Sequence, residues 1–276
     1  MQLFLFEGES IAKGSQLIVS LPSPDAGNVG LMCMDCILST IKATRIGNIE
    51  SRYLMGLTGY EEYHAEDGLS LCMPFEVYHV NHSRIILFHQ RSTCLGRDMA
   101  LFMKEYEELI ESLQFESILF LGSEHVHTMP DEYVLGNRIF SLIESQSHSS
   151  NDKMHKLMQA CDPIRLDRFA TTLHTSLDYE LEESYHQETY SYVFFARTKL
   201  MSKSPNTILV GLFSTEVGRV DDAKALAALV LSTYPLPGNN SEYSAQNIRT
   251  PKSWGKLFLT DSITPIDEAT NGYFYY

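Results

Sequence analysis

The stretch from Leu17 to Gly47, LIVSLPSPDAGNVGLMCMDCILSTIKATRIG, constrains the fold more than any other part of the chain. Leu17 to Leu21 is a short, largely apolar run, the pattern of a strand buried on both faces. Pro22 and Pro24 close it, because neither can donate to a sheet ladder and each biases its predecessor away from helix. Gly27-Asn28-Val29-Gly30 then makes a tight turn in which Asn28 can cap the next element. Leu31, Met34, Ile37, Leu38 and Ile41 recur at three- and four-residue steps, one apolar helical face. Arg45 to Ile49 returns as a second strand. The result is a strand–helix–strand unit, and such units build parallel sheets.

The rest of the chain extends that pattern. Phe75 to Val80 and Arg84 to Gln90 are β-rich and separated by Asn81-His82-Ser83, a hairpin with Ile85, Ile86, Leu87 and Phe88 deep in the sheet. Asp98 can cap a helix striped by Phe102, Tyr106, Leu109 and Leu113. Ser117 to Leu121, Tyr190 to Thr198 and Thr207 to Phe213 read as strands. Asp221 or Asp222 caps an alanine-rich helix that runs through Leu231 and stops before Pro235. Tyr53 to Leu71 reads as a polar loop, Glu132 to Ile143 as a helix, and Glu144 to Asp152 and Asp178 to Glu188 as solvated surface. Strands alternating with helices predict an α/β fold, a three-layer αβα domain over residues 1–259 with a mixed, mostly parallel sheet. Residues 260–276 lack an apolar period and are expected to form a mobile C-terminal tail.

Composition narrows the function classes. A net charge of −14 over 276 residues argues against a nucleic-acid partner, since phosphate binding needs a basic face. Five cysteines at irregular spacing make no disulfide framework in a chain of this length, so reduced thiols and a cytoplasmic or nuclear setting are expected. Leu3 to Phe6 is the only apolar run near the N-terminus and has no basic region before it, unlike a signal peptide. No apolar segment approaches the ~20 residues that span a bilayer, so no membrane partner is expected.

Three stretches could carry chemistry. Gly27-Asn28-Val29-Gly30 lacks the third glycine of a dinucleotide fingerprint and the Gly-Lys-Ser/Thr of a P-loop, and reads as a structural turn with no cofactor. Cys33 and Cys36 fall within a helix near its buried side, where one pair completes no zinc site and reads as small hydrophobes. Ser123 with His125 or His127 follows a strand, where α/β enzymes place nucleophile and base, but the Gly-x-Ser-x-Gly elbow is missing and two histidines alone hold no metal. The expectation is a chain without catalytic residues, cofactor or metal.

The Gly27-Asn28-Val29-Gly30 turn, the Met34-Asp35 pair and the Arg45-Ile46-Gly47 exit resemble the opening of the proteasome assembly chaperone 2 family. Glu76-Val77-Tyr78, Gln90-Arg91-Ser92, the strand ending near His125, and Pro251-Lys252-Ser253-Trp254 with Leu257-Phe258 agree in the same order. Residues 129–188 carry no such resemblance, and Glu216-Val217-Gly218-Arg219 departs from the family's Glu-Gly-Asp-Asn-like run. The resemblance implies a chaperone of 20S proteasome assembly that pairs with proteasome assembly chaperone 1 and sits on the α-subunit ring. It also gives meaning to the terminal Tyr273-Phe274-Tyr275-Tyr276, because exposed apolar clusters mark interaction sites. Phe274, Tyr275 and Tyr276 match a hydrophobic–Tyr–X terminus that docks between α-subunits; the alternative is that the tail folds back on its own domain. From another class, a small-molecule hydrolase or phosphorylase of related fold stands as the competing reading. The discriminator is whether Ser123 and His125 share a concave site with an acidic orienter.

Overall fold

The computed structural model describes residues 1–57, 59–61, 70–94, 98–126, 139–143, 161–165, 206–215, 220–233, 243–251 and 254. In chain order the elements are β1 (Gln2–Leu5), β2 (Gln16–Ser20), α1 (Val29–Thr40), β3 (Ala43–Glu50), β4 (Gly59–Glu61) and β5 (Ser70–Cys72). There follow β6 (Phe75–Val80), β7 (Ile85–Gln90), α2 (Met99–Leu113), β8 (Ser117–His125), β9 (Ile139–Ile143), β10 (Asp162–Arg165), β11 (Thr207–Ser214) and α3 (Val220–Thr233).

One sheet carries nine of these strands in the order β1-β3-β6-β7-β2-β8-β11-β9-β10, while β4 and β5 pair separately. The expected three-layer αβα domain is present. Four pairings are parallel and four antiparallel: β2–β7, β2–β8 and β8–β11 make a central parallel run, and β9–β10 is a parallel pair at one edge. The β6–β7 hairpin forms as read, but it inserts between the two strands of the opening unit. Strand β3 therefore runs parallel to β2 without touching it, and its neighbours β1 and β6 are both antiparallel to it.

Side chains alternate between two cores, as a strand's period of two requires. Ile18, Tyr78, Leu87, Leu121 and Val210 face α1 and α3, whereas Val19, Val77, Phe88, Phe120 and Leu209 face α2. Phe102, Met103, Tyr106 and Ile110 fill the second core from α2. Phe75 meets Phe88 at 5.8 Å and Tyr106 at 5.6 Å edge-on, as aromatic quadrupoles prefer.

Several expectations shift. α1 is buried nearly all round, with Met32, Cys33 and Cys36 enclosed as well as Met34, Ile37 and Leu38, because α3 packs along it while the sheet takes the other side. No exposed apolar edge runs along it, and Trp254 is an internal anchor of the same core. Ile139–Ile143 is the strand β9 rather than the end of a helix. Its Phe140 ring stacks 4.6 Å from Phe213, so tertiary pairing decides a short apolar run whose period was ambiguous. The loop read between Tyr53 and Leu71 contains β4 and the start of β5. Asp221 and Asp222 lie in the first turn of α3 rather than at its cap. Residues 190–198, 216–219 and 260–276, and His127, lie outside the described residues.

Candidate functional site

Glycine sets how closely α1 meets the sheet. A Cβ on Gly30 would lie 2.6 Å from the Leu121 carbonyl oxygen and 2.7 Å from the Gly122 Cα, so only hydrogen fits there. The turn before it differs from expectation in one respect. Asn28 occupies the N-cap position in a left-handed conformation (φ 51°), and its Oδ1 accepts from the Ser23 N–H at 2.8 Å rather than from the helix. The Val29 N–H donates instead to the Ser123 hydroxyl at 3.2 Å. Ser123 is thus a cap supplied by a distant strand. His125 lies two residues further along the same face of β8, at its half-buried end.

The close approach brings polar groups from five elements together under the second turn of α1. The Ser20 hydroxyl, at the end of β2, lies 2.9 Å from Nδ1 of His89 at the end of β7. Nε2 of His89 lies 2.9 Å from Oδ1 of Asp35 on α1. A carboxylate accepts only, so Nε2 carries the proton and Nδ1 accepts from Ser20. The Arg91 guanidinium donates to the same Asp35 oxygen at 3.3 Å and, through Nε, to Oε2 of Glu76 on β6 at 2.8 Å. The Tyr78 hydroxyl also donates to that Glu76 oxygen at 3.0 Å. Oε1 of Glu76 faces Nη1 of Arg45 on β3 at 3.1 Å and accepts from the Met73 N–H at 3.0 Å.

Electrostatics sorts these groups. Burial pushes the His89 pKa below its ordinary value, Arg91 adds to the effect, and Asp35 opposes it without winning, so His89 is neutral at pH 7. Burial alone would raise the Glu76 carboxyl; the Arg91 and Arg45 guanidiniums outweigh it and hold the group below the usual carboxylate range. Two carboxylates therefore face two guanidiniums across a neutral imidazole. The charge balances inside the fold, the condition under which buried ions are tolerated.

Hydroxyl, imidazole and carboxylate in hydrogen-bonded series is the order of a serine hydrolase relay. Here Ser20 and His89 are 0% exposed, and the carboxylate is shared with Arg91. An acyl carbon has no approach to the hydroxyl, so the arrangement ties α1 to β2, β3, β6 and β7. Ser123 with His125 or His127, the pairing weighed from the sequence and set aside, is not part of this series; the carboxylate stands at His89. The signal that could have found the network is polar residues at inward positions of apolar runs: Asp35 on a buried helix face, Glu76 and His89 inside strands. Cys33 and Cys36 are buried free thiols whose pKa values burial pushes up, as small hydrophobes should be. Among the described residues no cluster has metal-ligand composition, and no described helix is long and apolar enough to cross a membrane.

A model of the PAC2 family matches residues 19–232, from the end of β2 through α1 and α2 to the last turn of α3. The chain belongs to the PAC2 family. To the Proteasome assembly chaperone 2 of Xenopus laevis it is 26% identical over 118 residues, 42% of this chain and 46% of that protein. To that of Homo sapiens it is 25% identical over 131 residues, 47% of this chain and 50% of that protein. The chain spans about half the length of the relatives it matches. Two Pyrococcus furiosus structures share the PAC2-family fold. PbaA, an archaeal homolog of proteasome-assembly chaperone, aligns with a TM-score of 0.54 at 12% identity over 86% of this chain and 87% of its own. PbaB, an archaeal proteasome activator, aligns with a TM-score of 0.54 at 14% identity over 94% of this chain and 97% of its own. At such identities the likeness is one of fold.

Proposed function

We propose that this PAC2-family chain is a non-catalytic chaperone of 20S proteasome assembly, working in the cytoplasm or nucleus. It pairs with proteasome assembly chaperone 1, and the pair covers the outer face of the α-subunit ring, promoting correct assembly and blocking premature association. One convergence carries the reading. The stretches that resemble the assembly chaperone 2 family, Met34-Asp35, Arg45-Ile46-Gly47, Glu76-Val77-Tyr78 and Gln90-Arg91-Ser92, contribute Asp35, Arg45, Glu76, Tyr78 and Arg91 to a single network. These residues lie far apart in sequence and meet in one place in the fold.

The tail supplies the docking element. Phe274 is the hydrophobic residue, Tyr275 packs against the wall of a pocket between α-subunits, and the Tyr276 carboxylate meets a lysine there. This is terminal-carboxylate capture strengthened by a charge-assisted hydrogen bond. The test is to purify the tagged chain from its own cells and identify what accompanies it. A chaperone 1 counterpart together with α-subunits is the expected result; a chain that returns alone or with unrelated proteins contradicts the proposal.

The hydrolase reading has the Ser20–His89–Asp35 series in its favour and the enclosure of Ser20 against it. A fluorophosphonate probe should leave the native chain unlabelled. Labelling that disappears in Ser20→Ala would make it an enzyme.

A further inference from the structure

Among the described residues β1 is an edge strand of the sheet, and that edge has the features of a binding site for a strand. Phe6 N–H donates to the Ile46 carbonyl, so by the alternation of a strand the N–H and C=O of Phe4 point toward β3 and those of Leu3 and Leu5 point away from it. Gly47 admits β1 at this distance, since a Cβ there would run into the Phe4 carbonyl. Leu3 and Leu5 pack their side chains into the α2-side core, which leaves Phe4 and Phe6 on the opposite face, 41% and 46% exposed. No helix among the described residues lies over that face at β1.

Arg45 links Leu71 on β5 to this face. The Arg45 guanidinium stands 6.0 Å over the Phe6 ring and donates to the Leu71 carbonyl at 2.6 Å, and the Leu71 side chain is 54% exposed. Arg45 is held in turn by Glu76, so the buried network fixes one wall of the patch. The exposed Phe4 and Phe6 therefore border a backbone edge whose outward groups pair with no described strand, and Arg45 joins the exposed Leu71 to it through the Leu71 carbonyl. Such an edge is a template for another chain.

We propose that the outer edge of β1, with Phe4, Phe6 and Leu71, is the docking site for a β-strand of a second, different protein. The occupant adds to the sheet by main-chain hydrogen bonds to Leu3 and Leu5 and covers the two phenylalanines with alternate apolar side chains. Charge selects a basic partner over a second copy. The exposed side chains that follow and flank β1 include Glu7, Glu9 and Glu50, and two copies would bring together chains of net charge −14 each. Resting on the chaperone reading above, the proposal assigns this edge to the heterodimer partner.

The experiment uses the full chain and its purified chaperone 1 counterpart, with sedimentation for affinity and hydrogen exchange for the edge. Binding should slow exchange at the Leu3 and Leu5 amides, and Phe4→Asp with Phe6→Asp should weaken the complex at least about tenfold. Because those side chains are exposed, the variant should keep the wild-type melting temperature; Leu71→Ser gives an independent, milder reduction. A complex indifferent to all three substitutions, with unprotected edge amides, overturns this site and leaves the chaperone reading standing. No complex at all overturns both. Self-association of the chain alone that the double variant abolishes makes a second copy the occupant and overturns the choice of a different protein.

Discussion

Nε2 of His89 donates to Oδ1 of Asp35 across 2.9 Å, joining strand β7 to a helix 54 residues earlier in the chain. Around that bond, three strands and a helix share two carboxylates and two guanidiniums, and the exposed edge at Phe6 takes its orientation from the same Arg45. Stability and the proposed partner surface therefore depend on one set of side chains.

Glu76 is the member with most to lose. It faces Arg45 and Arg91 and accepts from the Tyr78 hydroxyl and the Met73 amide while 0% exposed. Glu76→Ala leaves the partly buried Arg45 without a counter-charge and Arg91 with Asp35 alone, which should lower stability by about 3–5 kcal/mol. Urea denaturation checks it: the midpoint should fall at nearly unchanged slope. A loss below about 1 kcal/mol would mean the network relaxes onto water at little cost.

Stability should fall in two steps as the solution is acidified. The folded chain holds His89, which faces Asp35, Arg91 and Ser20, below its ordinary value of 6.5. Above pH 6.5 the imidazole is neutral in folded and unfolded chains alike; below it the unfolded chain takes up the proton first, so stability declines until the folded pKa is passed. Glu76, held below 4.5, contributes stability that is full above that pH and lost as pH falls through its folded pKa. His89→Gln should flatten the upper step and leave the lower one. A variant curve parallel to wild type between pH 6.5 and 5 would contradict the assignment.

Gly30→Ala tests the approach of α1 to β8. The added methyl would sit 2.6 Å from the Leu121 carbonyl, in backbone that cannot yield as a side-chain tip can. Overpacking of this kind costs about 1–3 kcal/mol, and it should show as a lowered melting temperature. An unchanged melting temperature would show that the helix can slide.

Much of this was legible in the sequence because it is written in periodicity. The Leu17–Leu21 strand, the α1 face, the β6–β7 hairpin, the α2 stripe and the α3 helix all depend on local alternation, and each forms where that alternation runs. Position in the sheet was less visible. Two strands separate β2 from β3, and no local pattern records which strands intervene. The bulge at Ile46, where Arg45 opposes Tyr78 and Gly47 opposes Val77, shifts the register without any turn residue that announces it. The network was half visible: its residues stood in the stretches that carried the family resemblance, but that Asp35 meets His89 is a fact of tertiary packing. Ser123, weighed as a nucleophile and set aside, lies within β8 and caps a helix, a role that no local pattern records.

The tail separates docking from folding. Thr260 to Gly272 can extend to at most ~45 Å, enough to reach a neighbouring pocket from a docked domain. Removing Phe274, Tyr275 and Tyr276 should weaken α-ring binding by a few kcal/mol, the cost of an aromatic hot spot, at constant melting temperature. Tyr275→Ala should have most of that effect, since the carboxylate is poorly oriented without the ring. A falling melting temperature would show instead that the tail packs on its own domain.

Promotion of α-ring assembly, the proposed function, is read directly from the fraction of α-subunits found in closed rings by native mass spectrometry. Purified α-subunits are mixed alone, with the chain and its chaperone 1 counterpart, and with the counterpart alone. More rings, with the chaperone pair bound to them, are expected only when both chains are present. The same ring fraction in all three mixtures, with no chaperone on the rings, would contradict it.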